Sequence, residues 1–210
     1  MSCMIPGLLS VLIPAYNPEE RVLRGILDKL KAQMAEYPNA EIVVVDDGSA
    51  VTPAYVTDYP HTELWIQPNL GEPSARNSLL SMKHGEYFTF IDCDDEISDN
   101  YLAVVFENMR EGWDWVSYDW TCDGSRDGVY QTDEPLMINC AVWAYSFRDG
   151  VYGDEMFDPK RLLGCDTDWL HRVLKPEHRH KHDHRVIYNY RWSGNNNSLC
   201  HRKLRGEITE

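Results

Sequence analysis

Short apolar runs alternate with segments of helical spacing along the first half of the chain. The run "LLSVLIPAY" at 8–16 is rich in branched residues and carries no charge, which is typical of a strand buried on both faces. The segment 17–38 that follows has apolar residues at helical spacing, with Asn17 and Pro18 placed as N-cap and first-turn proline. "EIVVVDDGS" at 41–49 predicts a second buried strand. Such β-α-β units are right-handed and build parallel sheets, so the pattern predicts an open, doubly wound α/β sheet.

The same criteria predict the remaining elements. Further strands are expected at 63–68, 86–92, 113–124 and 180–192, and further helices at 71–85, 98–112 and 166–176. "RDGVY" at 126–130 is expected to form a turn, and residues 140–148 a strand or a short helix. The chain shows no internal repeat and no low-complexity linker, which predicts one domain over 1–210.

The composition restricts the partners and the compartment. A net charge of −14 and a pI of about 4.9 do not suit a polyanion-binding surface, which needs clustered Lys and Arg, so no nucleic-acid partner is expected. The six cysteines include no CxxC pair, which favours reduced thiols in a cytoplasmic protein. No apolar stretch reaches about 18 residues, and the N-terminus lacks the basic start of a signal peptide. We therefore expect no transmembrane segment and at most peripheral association with the inner face of a membrane.

Polar side chains collect where three of the predicted strands end. The first strand ends at Tyr16 and Asn17, the second at 46–49 and the fourth at 92–95. Ligands of open α/β sheets bind outside the carboxyl ends of the strands. Clustered carboxylates there suit Mg²⁺ or Mn²⁺, which typically shares such a site with substrate phosphates. The alternative is that aspartates cap turns and helices, which we expect of Asp99 and of one aspartate in each pair but not of the whole set.

Several segments, taken in order, resemble the motifs of one enzyme family. They are "SVLIPAYN", "EIVVVDDGS", "NLGEPSARNSLL", "FTFIDCDDEI", "VWAYSFRDGV", "GCDTDWLHRVL" and "YNYRWSGNNNSL". At these spacings they are similar to the inverting family-2 glycosyltransferases, over about residues 9–199. The resemblance implies the GT-A fold, a Rossmann-like open mixed sheet flanked by helices. It also implies that 1–98 binds the nucleotide-sugar and that 99–210 binds the acceptor and carries out catalysis.

The resemblance implies a donor, UDP-linked, at the ends of the first, second and fourth strands. The residues expected to contact its nucleotide are Pro14, Ala15, Tyr16, Asp46, Asp47, Arg76, Asp92, Cys93 and Asp94. By this resemblance Asp47, and with it Asp46, would hydrogen-bond the base, and Arg76 would reach the nucleotide from its helix. The acceptor would be a hydroxyl group of a glycan or glycoconjugate.

The resemblance also assigns the metal and the catalytic base. Asp92 and Asp94 form a DxD pair, and Asp94 and Asp95 would hold Mn²⁺ or Mg²⁺ on the diphosphate. An inverting transfer is one in-line displacement, which needs a base for the acceptor hydroxyl and a Lewis acid for the departing nucleotide. The expected base is Asp166, which aligns with the aspartate of the family's Glu-Asp motif. This chain departs from that motif at Cys165, where a glutamate is usual.

Further side chains each have two interpretations. Asp168 is the fallback base, although on a helix it would face about 200° away from the expected base. Arg172 either faces the donor phosphates or is an exposed helix arginine. Trp143 either stacks on a sugar ring or is buried. His182 or His184 either completes the metal shell or belongs to a solvated strand on which histidines alternate.

Two other functions remain open at this point. A nucleotidyltransferase would share the sheet and the metal-diphosphate chemistry, but such enzymes usually carry a glycine-rich basic loop after the first strand, and "PAYNPEE" is neither. A catalytically degenerate module that binds a nucleotide or a glycan is favoured by Cys165 alone. The presence of Asp92, Asp94 and Asp166 argues against that module.

Overall fold

The computed structural model describes residues 4–123, 128–130, 141–192 and 206. In chain order the elements are β1 (Ile5–Ala15), α1 (Glu20–Met34), β2 (Ala40–Asp46), β3 (Thr62–Ile66), α2 (Glu72–Met82), β4 (Gly85–Phe90), β5 (Glu96–Ile97), α3 (Tyr101–Glu111), β6 (Trp115–Cys122), β7 (Gly128–Tyr130), β8 (Tyr145–Arg148), α4 (Cys165–Val173) and β9 (His180–Tyr190). Short 3₁₀ helices cover Ala54–Asp58 and Val142–Ala144. None of the described helices is long and apolar enough to cross a membrane.

The nine strands form one mixed sheet. Its order is β3-β2-β1-β4-β8-β6-β9-β5, and β7 pairs with the end of β6. Strands β1 to β4 are parallel, β8 is antiparallel to both β4 and β6, and β9 is parallel to β6. The parallel half is the half whose strand-helix alternation is regular in the sequence. The predicted open mixed sheet flanked by helices is confirmed.

Apolar packing on both faces makes the parallel half rigid. Residues 9–15 of β1 are all buried, as the uncharged run predicted. Helix α1 buries one face against the sheet, through Val22, Leu23, Ile26, Leu27, Leu30 and Met34. Near α4, Phe157 stacks on Trp169 with ring centroids 4.6 Å apart. Because buried apolar area is the main stabilising term, these layers hold the carboxyl ends of the strands in place.

The two-residue strand β5 curls the sheet toward those strand ends. Although Glu96 and Ile97 follow β4 closely in sequence, they pair antiparallel with β9 at the opposite side of the sheet. Lys29 of α1 supports this crossing by donating a 2.9 Å hydrogen bond to the Ile97 carbonyl. As a result, the turn at 92–95 lies against the end of β9.

Several local details differ from the sequence prediction. Helix α1 begins at Glu20, because Asn17 takes a left-handed φ of 46° and its side chain accepts a hydrogen bond from the Ala50 N–H instead of capping the helix. Residues 128–130 form strand β7 rather than a turn. The segment predicted as strand or short helix contains both, a 3₁₀ turn followed by β8.

Three of the six cysteines fall within the described residues. Cys93, Cys122 and Cys165 are free thiols there, as predicted. Cys3, Cys140 and Cys200 lie outside the described residues, as does the asparagine-rich end of the last motif.

Replacement of Gly85, at the start of β4, tests how closely β4 packs against β1. A Cβ at this position would lie 2.6–2.7 Å from backbone atoms of Tyr87, Leu8 and Ser10. Because backbone cannot move aside without breaking the strand pairing, Gly85→Ala should lower the free energy of unfolding by about 1–3 kcal/mol. Gly25 in α1 is the control, since it has open space around it, and Gly25→Ala should stabilise by roughly 0.5–1 kcal/mol. Urea denaturation compares them, and equal effects would contradict this packing.

Candidate active site

Hydrogen bonds tie the carboxyl ends of β1 and β2 into one rigid double loop. The Asp47 N–H donates to the Ala15 carbonyl at 2.8 Å, and the Asn17 N–H donates to Ser49 Oγ at 2.7 Å. Asn17 Oδ1 accepts from the Ala50 N–H at 2.8 Å. Loops held at both ends in this way can present side chains with little freedom.

The residues predicted to surround the nucleobase differ in what they can offer. Pro14 and Ala15 are buried, whereas the Tyr16 side chain is about half exposed. Cys93 lies half-buried near the Tyr16 backbone, and burial raises the pKa of its thiol well above the ordinary value. A ligand at this edge would therefore meet a tyrosine ring and a neutral thiol.

The Asp47 carboxylate is committed to the fold. Its Oδ1 accepts hydrogen bonds from Gln67 Nε2 at 2.7 Å and from the Leu70 N–H at 2.9 Å, and its Oδ2 accepts from the Gly71 N–H at 2.9 Å. These contacts hold the loop that leads into α2. The sequence assigned base recognition to Asp47 first, but both of its oxygens already have donors.

The neighbouring Asp46 carboxylate has the opposite character. It is fully buried, and its Oδ1 accepts from the Ser49 backbone N–H at 3.1 Å and from the Ser49 hydroxyl. Its Oδ2 has no hydrogen-bond donor among the described residues. A buried carboxylate oxygen without a donor costs free energy, so a ligand N–H is a natural partner for it.

The turn after β4 also divides its aspartates. Asp95 is fully buried and accepts from the Tyr188 hydroxyl and from the Arg191 backbone N–H, both at 2.8 Å. The Tyr188 hydroxyl in turn accepts the Asp92 N–H at 3.0 Å. Asp92 and Asp94 are half-buried, and the three aspartates each have an oxygen within 4.8 Å of the others. Asp95 is therefore committed to the end of β9, and Asp92 and Asp94 are the candidate residues for a metal ion at this turn.

Arg76 of α2 is buried between three carboxylates. Its Nη2 lies 2.9 Å from Asp92 Oδ1 and 2.5 Å from Glu72 Oε1, and its Nε lies 3.4 Å from Asp166 Oδ1. The side chain has no exposed surface. The sequence led us to expect that Arg76 contacts the nucleotide; in the structure its guanidinium links the DxD turn to the start of α4.

Helix α4 begins with the predicted base. Gly164 takes a left-handed φ of 66° just before the helix, and Asp166 lies in its first turn. Asp166 Oδ2 accepts the Val142 N–H at 3.1 Å, while Oδ1 faces Arg76 and lies 3.5 Å from the Cys165 sulfur. About 16% of the Asp166 side chain remains exposed. The carboxylate is therefore fixed at both oxygens and still accessible.

Burial dominates the protonation of this cluster. It raises the pKa of Asp92 to about 8 and also raises the pKa of Asp166, with Arg76 opposing both shifts. Burial alone would lower the pKa of Arg76, but Asp166, Asp92 and Glu72 outweigh it and raise that pKa well above the ordinary value. At neutral pH the guanidinium is thus charged, while the raised pKa values of Asp92 and Asp166 mean that these two carboxylates hold protons more tightly than exposed ones do.

Asp168 and Arg172 form a separate salt-bridged group. Arg172 Nε lies 3.1 Å from Asp168 Oδ2, its Nη2 donates to the Met156 carbonyl at 2.7 Å, and its Nη1 pairs with Glu155. Arg161 lies 3.7 Å from Asp168 on the other side. Both predicted contacts therefore anchor the segment before α4, and neither is placed with the base or the DxD turn.

Trp143 is buried in a stack of aromatic rings. Only 6% of it is exposed, and its ring lies nearly parallel to those of Tyr188 and Tyr190, at centroid distances of 4.4 and 5.8 Å. Trp120 packs edge-on against it at 5.0 Å. Of the two interpretations, burial is the one that the structure shows, and Trp143 offers no free face to a sugar.

His182 and His184 lie with Asp119 of β6, apart from the DxD turn. His182 Nε2 is 2.8 Å from Asp119 Oδ1, and His184 Nδ1 is 3.5 Å from Asp119 Oδ2. Neither histidine belongs to the cluster of oxygens formed by 92–95. The structure gives no support to the idea that they complete the donor metal shell.

Three residues of the site were missed in the sequence. Tyr188 and Arg191 lie in the motif "YNYRWSGNNNSL", but the sequence analysis assigned neither of them a contact at the site. Glu72 precedes Arg76 by four residues on α2, a spacing that does predict an ion pair. The Glu72 carboxylate, the Cys165 sulfur and Asp166 lie within 4.8 Å of one another. Glu72 thus brings a carboxylate next to the position where the motif usually has a glutamate.

Comparison with known proteins identifies the family. Residues 10–159 match the sequence model of the family described as "Glycosyl transferase family 2". This chain belongs to glycosyl transferase family 2. The family-2 chain is 35% identical over 113 residues to Glycosyltransferase GlyA of Streptococcus pneumoniae, which is 51% of this chain and 16% of that protein. It is 31% identical over 114 residues to the Putative colanic acid biosynthesis glycosyl transferase WcaA of Escherichia coli, 50% of this chain and 38% of that protein. The chain therefore spans less than half the length of these relatives.

Solved structures share the fold of this family-2 chain. S. aureus TarS 1-349 in complex with UDP superimposes with a TM-score of 0.74 at 22% identity, over 90% of this chain and 62% of that one. The complex with UDP-GlcNAc gives a TM-score of 0.70 at 21% identity, over 88% and 58%. At these identities the likeness shows the fold alone, and it confirms the GT-A fold that the sequence motifs implied.

The buried position of Arg76 can be tested against a surface arginine of the same spacing. Arg24 on α1 also pairs with a glutamate four residues earlier, but its side chain is 38% exposed. Removing one partner of a buried ion pair typically costs about 3–5 kcal/mol, and we expect Arg76→Met to lie in that range. Arg24→Met should cost at most about 1 kcal/mol. Urea denaturation at neutral pH measures both, and similar losses would show that the buried pair contributes no more than a surface one.

Proposed function

We propose that this chain is an inverting, divalent-metal-dependent glycosyltransferase that moves a sugar from a UDP-linked donor to a hydroxyl group of a glycan or glycoconjugate. The observation that carries the proposal is the link through Arg76 between Asp166 and Asp92, at 3.4 and 2.9 Å. It joins a candidate base to a candidate diphosphate site through one buried side chain. A binding module would not need a base in that position.

The role of Asp166 follows from its surroundings. Its two oxygens are held by the Val142 N–H and by Arg76, so the carboxylate has a fixed direction. Burial raises its pKa, which makes it a better proton acceptor than an exposed aspartate. In a single displacement the acceptor oxygen would attack the anomeric carbon, the bond from that carbon to the diphosphate would break, and Asp166 would take the hydroxyl proton. The configuration at the anomeric carbon is then inverted, and UDP leaves.

The residues of the DxD turn fit a hard divalent cation. Asp92 and Asp94 are half-buried, carry oxygens within 4.8 Å of each other, and come from a turn that Asp95 and Tyr188 hold rigid. Oxygen ligands of this kind suit Mg²⁺ or Mn²⁺. When bound, such an ion would neutralise the negative charge of the departing diphosphate. Asp92 and Asp94 would then hold the diphosphate on the side of the anomeric carbon opposite the acceptor hydroxyl and its base.

Asp46 is the residue that we assign to the nucleobase. Its buried Oδ2 has no donor among the described residues and lies at the end of β2, where ligands of this fold bind. Uracil carries an N–H at N3 that can fill this need, whereas the N3 of cytosine is an acceptor. The crystallisation of TarS with UDP and with UDP-GlcNAc supports the choice of uridine.

The names of the relatives support a glycan acceptor. WcaA is described as a colanic acid biosynthesis glycosyl transferase, and Minor teichoic acid biosynthesis protein GgaA of Bacillus subtilis is another partial match, at 29% identity over 108 residues. Both names refer to biosynthesis, one of colanic acid and the other of teichoic acid. We therefore place this chain in polysaccharide or glycoconjugate synthesis.

Replacement of Asp166 tests the proposed base. Asp166→Asn should reduce transfer from a UDP-sugar by roughly 10²–10⁴-fold, because the amide cannot take the proton. Affinity for UDP, measured by calorimetry, should change little. Wild-type activity should rise with pH as Asp166 loses its proton, and this limb should lie above the ordinary carboxyl range because the pKa is raised.

Asp168→Asn is the matched control, since it changes a neighbouring carboxylate on the same helix that pairs with Arg172 instead. It should retain transfer. If Asp166→Asn transfers sugar at the wild-type rate, the assignment of the base is wrong. If the wild type binds UDP but shows no metal-dependent transfer with any sugar donor, the chain is a binding module rather than an enzyme.

Replacement of Asp46 tests recognition of the base. Asp46→Asn keeps an oxygen for the Ser49 donors and replaces the unpartnered oxygen by an NH₂ group. We expect the variant to lose about 1–3 kcal/mol of UDP binding, since donor would face donor. Its affinity for CDP should rise, because that NH₂ can donate to cytosine N3. An unchanged ratio of UDP to CDP affinity in calorimetry would exclude Asp46 from contact with the base.

A further inference from the structure

Strands β6 and β9 hold a cluster that the proposed transfer reaction does not use. Asp119 of β6 is fully buried, His182 Nε2 lies 2.8 Å from its Oδ1, and His184 Nδ1 lies 3.5 Å from its Oδ2. One ligand atom from each of the three lies within 4.8 Å of the other two. From His184, β9 runs on for roughly 13 Å before Tyr188 reaches the DxD turn. The cluster is therefore separate from the donor site.

A double bulge brings two histidines of one strand to one carboxylate of its neighbour. The strands pair in regular register as far as Tyr118 opposite Asp183, and the next pair is Asp119 opposite Val186. Two residues of β9, His184 and the one after it, are thus left without an opposite residue. Bulges are rare in parallel pairs, and they commonly re-aim side chains at functional sites.

The buried Asp119 carboxylate lacks full compensation. Its Oδ2 has no hydrogen-bond donor among the described residues. Two basic side chains nearby on β9 are already paired, Lys181 with Glu111 at 3.1 Å and Arg185 with Asp183 at 2.5 Å. A buried carboxylate is costly unless a positive charge or a set of donors balances it. A cation bound by this carboxylate and the two imidazoles would supply the missing positive charge.

We propose that Asp119, His182 and His184 bind a first-row divalent transition metal ion of the Zn²⁺ type, which cross-links β6 to β9. Two imidazole nitrogens and one carboxylate oxygen are a common Zn²⁺ set, and bonds of about 2.0–2.2 Å space tetrahedral ligand atoms about 3.3–3.5 Å apart. The 3.5 Å between His184 Nδ1 and Asp119 Oδ2 lies within that range, whereas the 2.8 Å between His182 Nε2 and Asp119 Oδ1 is a hydrogen bond that would lengthen when the ion replaces its proton. Ser117 Oγ lies 2.8 Å from His182 Nδ1, and with the ion bound at Nε2 it would accept the Nδ1 hydrogen and fix the direction of the ring. His184 is 57% exposed, which gives access from solvent.

Titration of the metal-stripped full chain with Zn²⁺, in excess Mg²⁺, tests the proposal. Mg²⁺ occupies sites made only of oxygens and competes poorly for imidazole. We expect one Zn²⁺ per chain and a rise in melting temperature by mass action. His184→Ala should lower the Zn²⁺ affinity by at least about tenfold and remove the rise, and Ser117→Ala should weaken binding by roughly tenfold. His180→Ala, which changes another exposed histidine of β9, should leave both measurements unchanged.

Co²⁺ supplies a second measurement that depends on the ligands themselves. Co²⁺ with four or five ligands that include imidazole absorbs visible light far more strongly than six-coordinate aqueous Co²⁺. The band should appear with the wild type and His180→Ala and be absent with His184→Ala. If His184→Ala binds Zn²⁺ as tightly as the wild type, the ion binds elsewhere. If the wild type binds no stoichiometric Zn²⁺, the three residues form only a hydrogen-bonded cluster. Either result overturns the proposal, and neither depends on sugar transfer.

Discussion

The site depends on one charge, the buried guanidinium of Arg76 among Glu72, Asp92 and Asp166. A buried cation without partners would be very costly, and three half-buried carboxylates without a cation would also be destabilised. The cation and the carboxylates can pair only if α2, the turn after β4 and the start of α4 meet at one point. The same contacts raise the pKa of Arg76 and keep it charged while burial raises the pKa values of Asp92 and Asp166. The ion pairs of Arg76 therefore both hold these three elements together and set the charge of the candidate active site.

The two aspartates of each adjacent pair have different roles, one in the fold and one at the proposed ligand site. In each pair one carboxylate accepts hydrogen bonds from backbone and side-chain donors. Asp47 accepts them from the loop before α2, and Asp95 from the end of β9. The other member is Asp46 or Asp94, and each lies at a strand end where ligands of this fold bind; Asp46 Oδ2 has no donor among the described residues. The committed aspartate makes the loop rigid, and rigidity is what allows its neighbour to act with a defined direction.

Strand β9 serves two regions of the molecule. Its carboxyl end supplies Tyr188, which bridges Asp92 and Asp95 and stacks under Trp143. Its beginning carries the histidines that meet Asp119 across the double bulge. Because both regions share one strand, the register of β9 on β6 affects the DxD turn as well as the histidine cluster.

The sequence by itself determined the parallel half of the sheet, the family motifs and the residue types at the strand ends. These are local properties, since an uncharged run such as 9–15 of β1 can only be stable inside, and its period is visible in the chain. It also predicted that one aspartate of each pair would be structural, but not which. That choice was made by the tertiary structure, because the N–H groups that claim Asp47 and Asp95 come from distant loops and from β9. The burial of Arg76 and Trp143 and the pairing of β5 with β9 depend likewise on contacts between elements far apart in sequence, which leave no periodic signal in either segment.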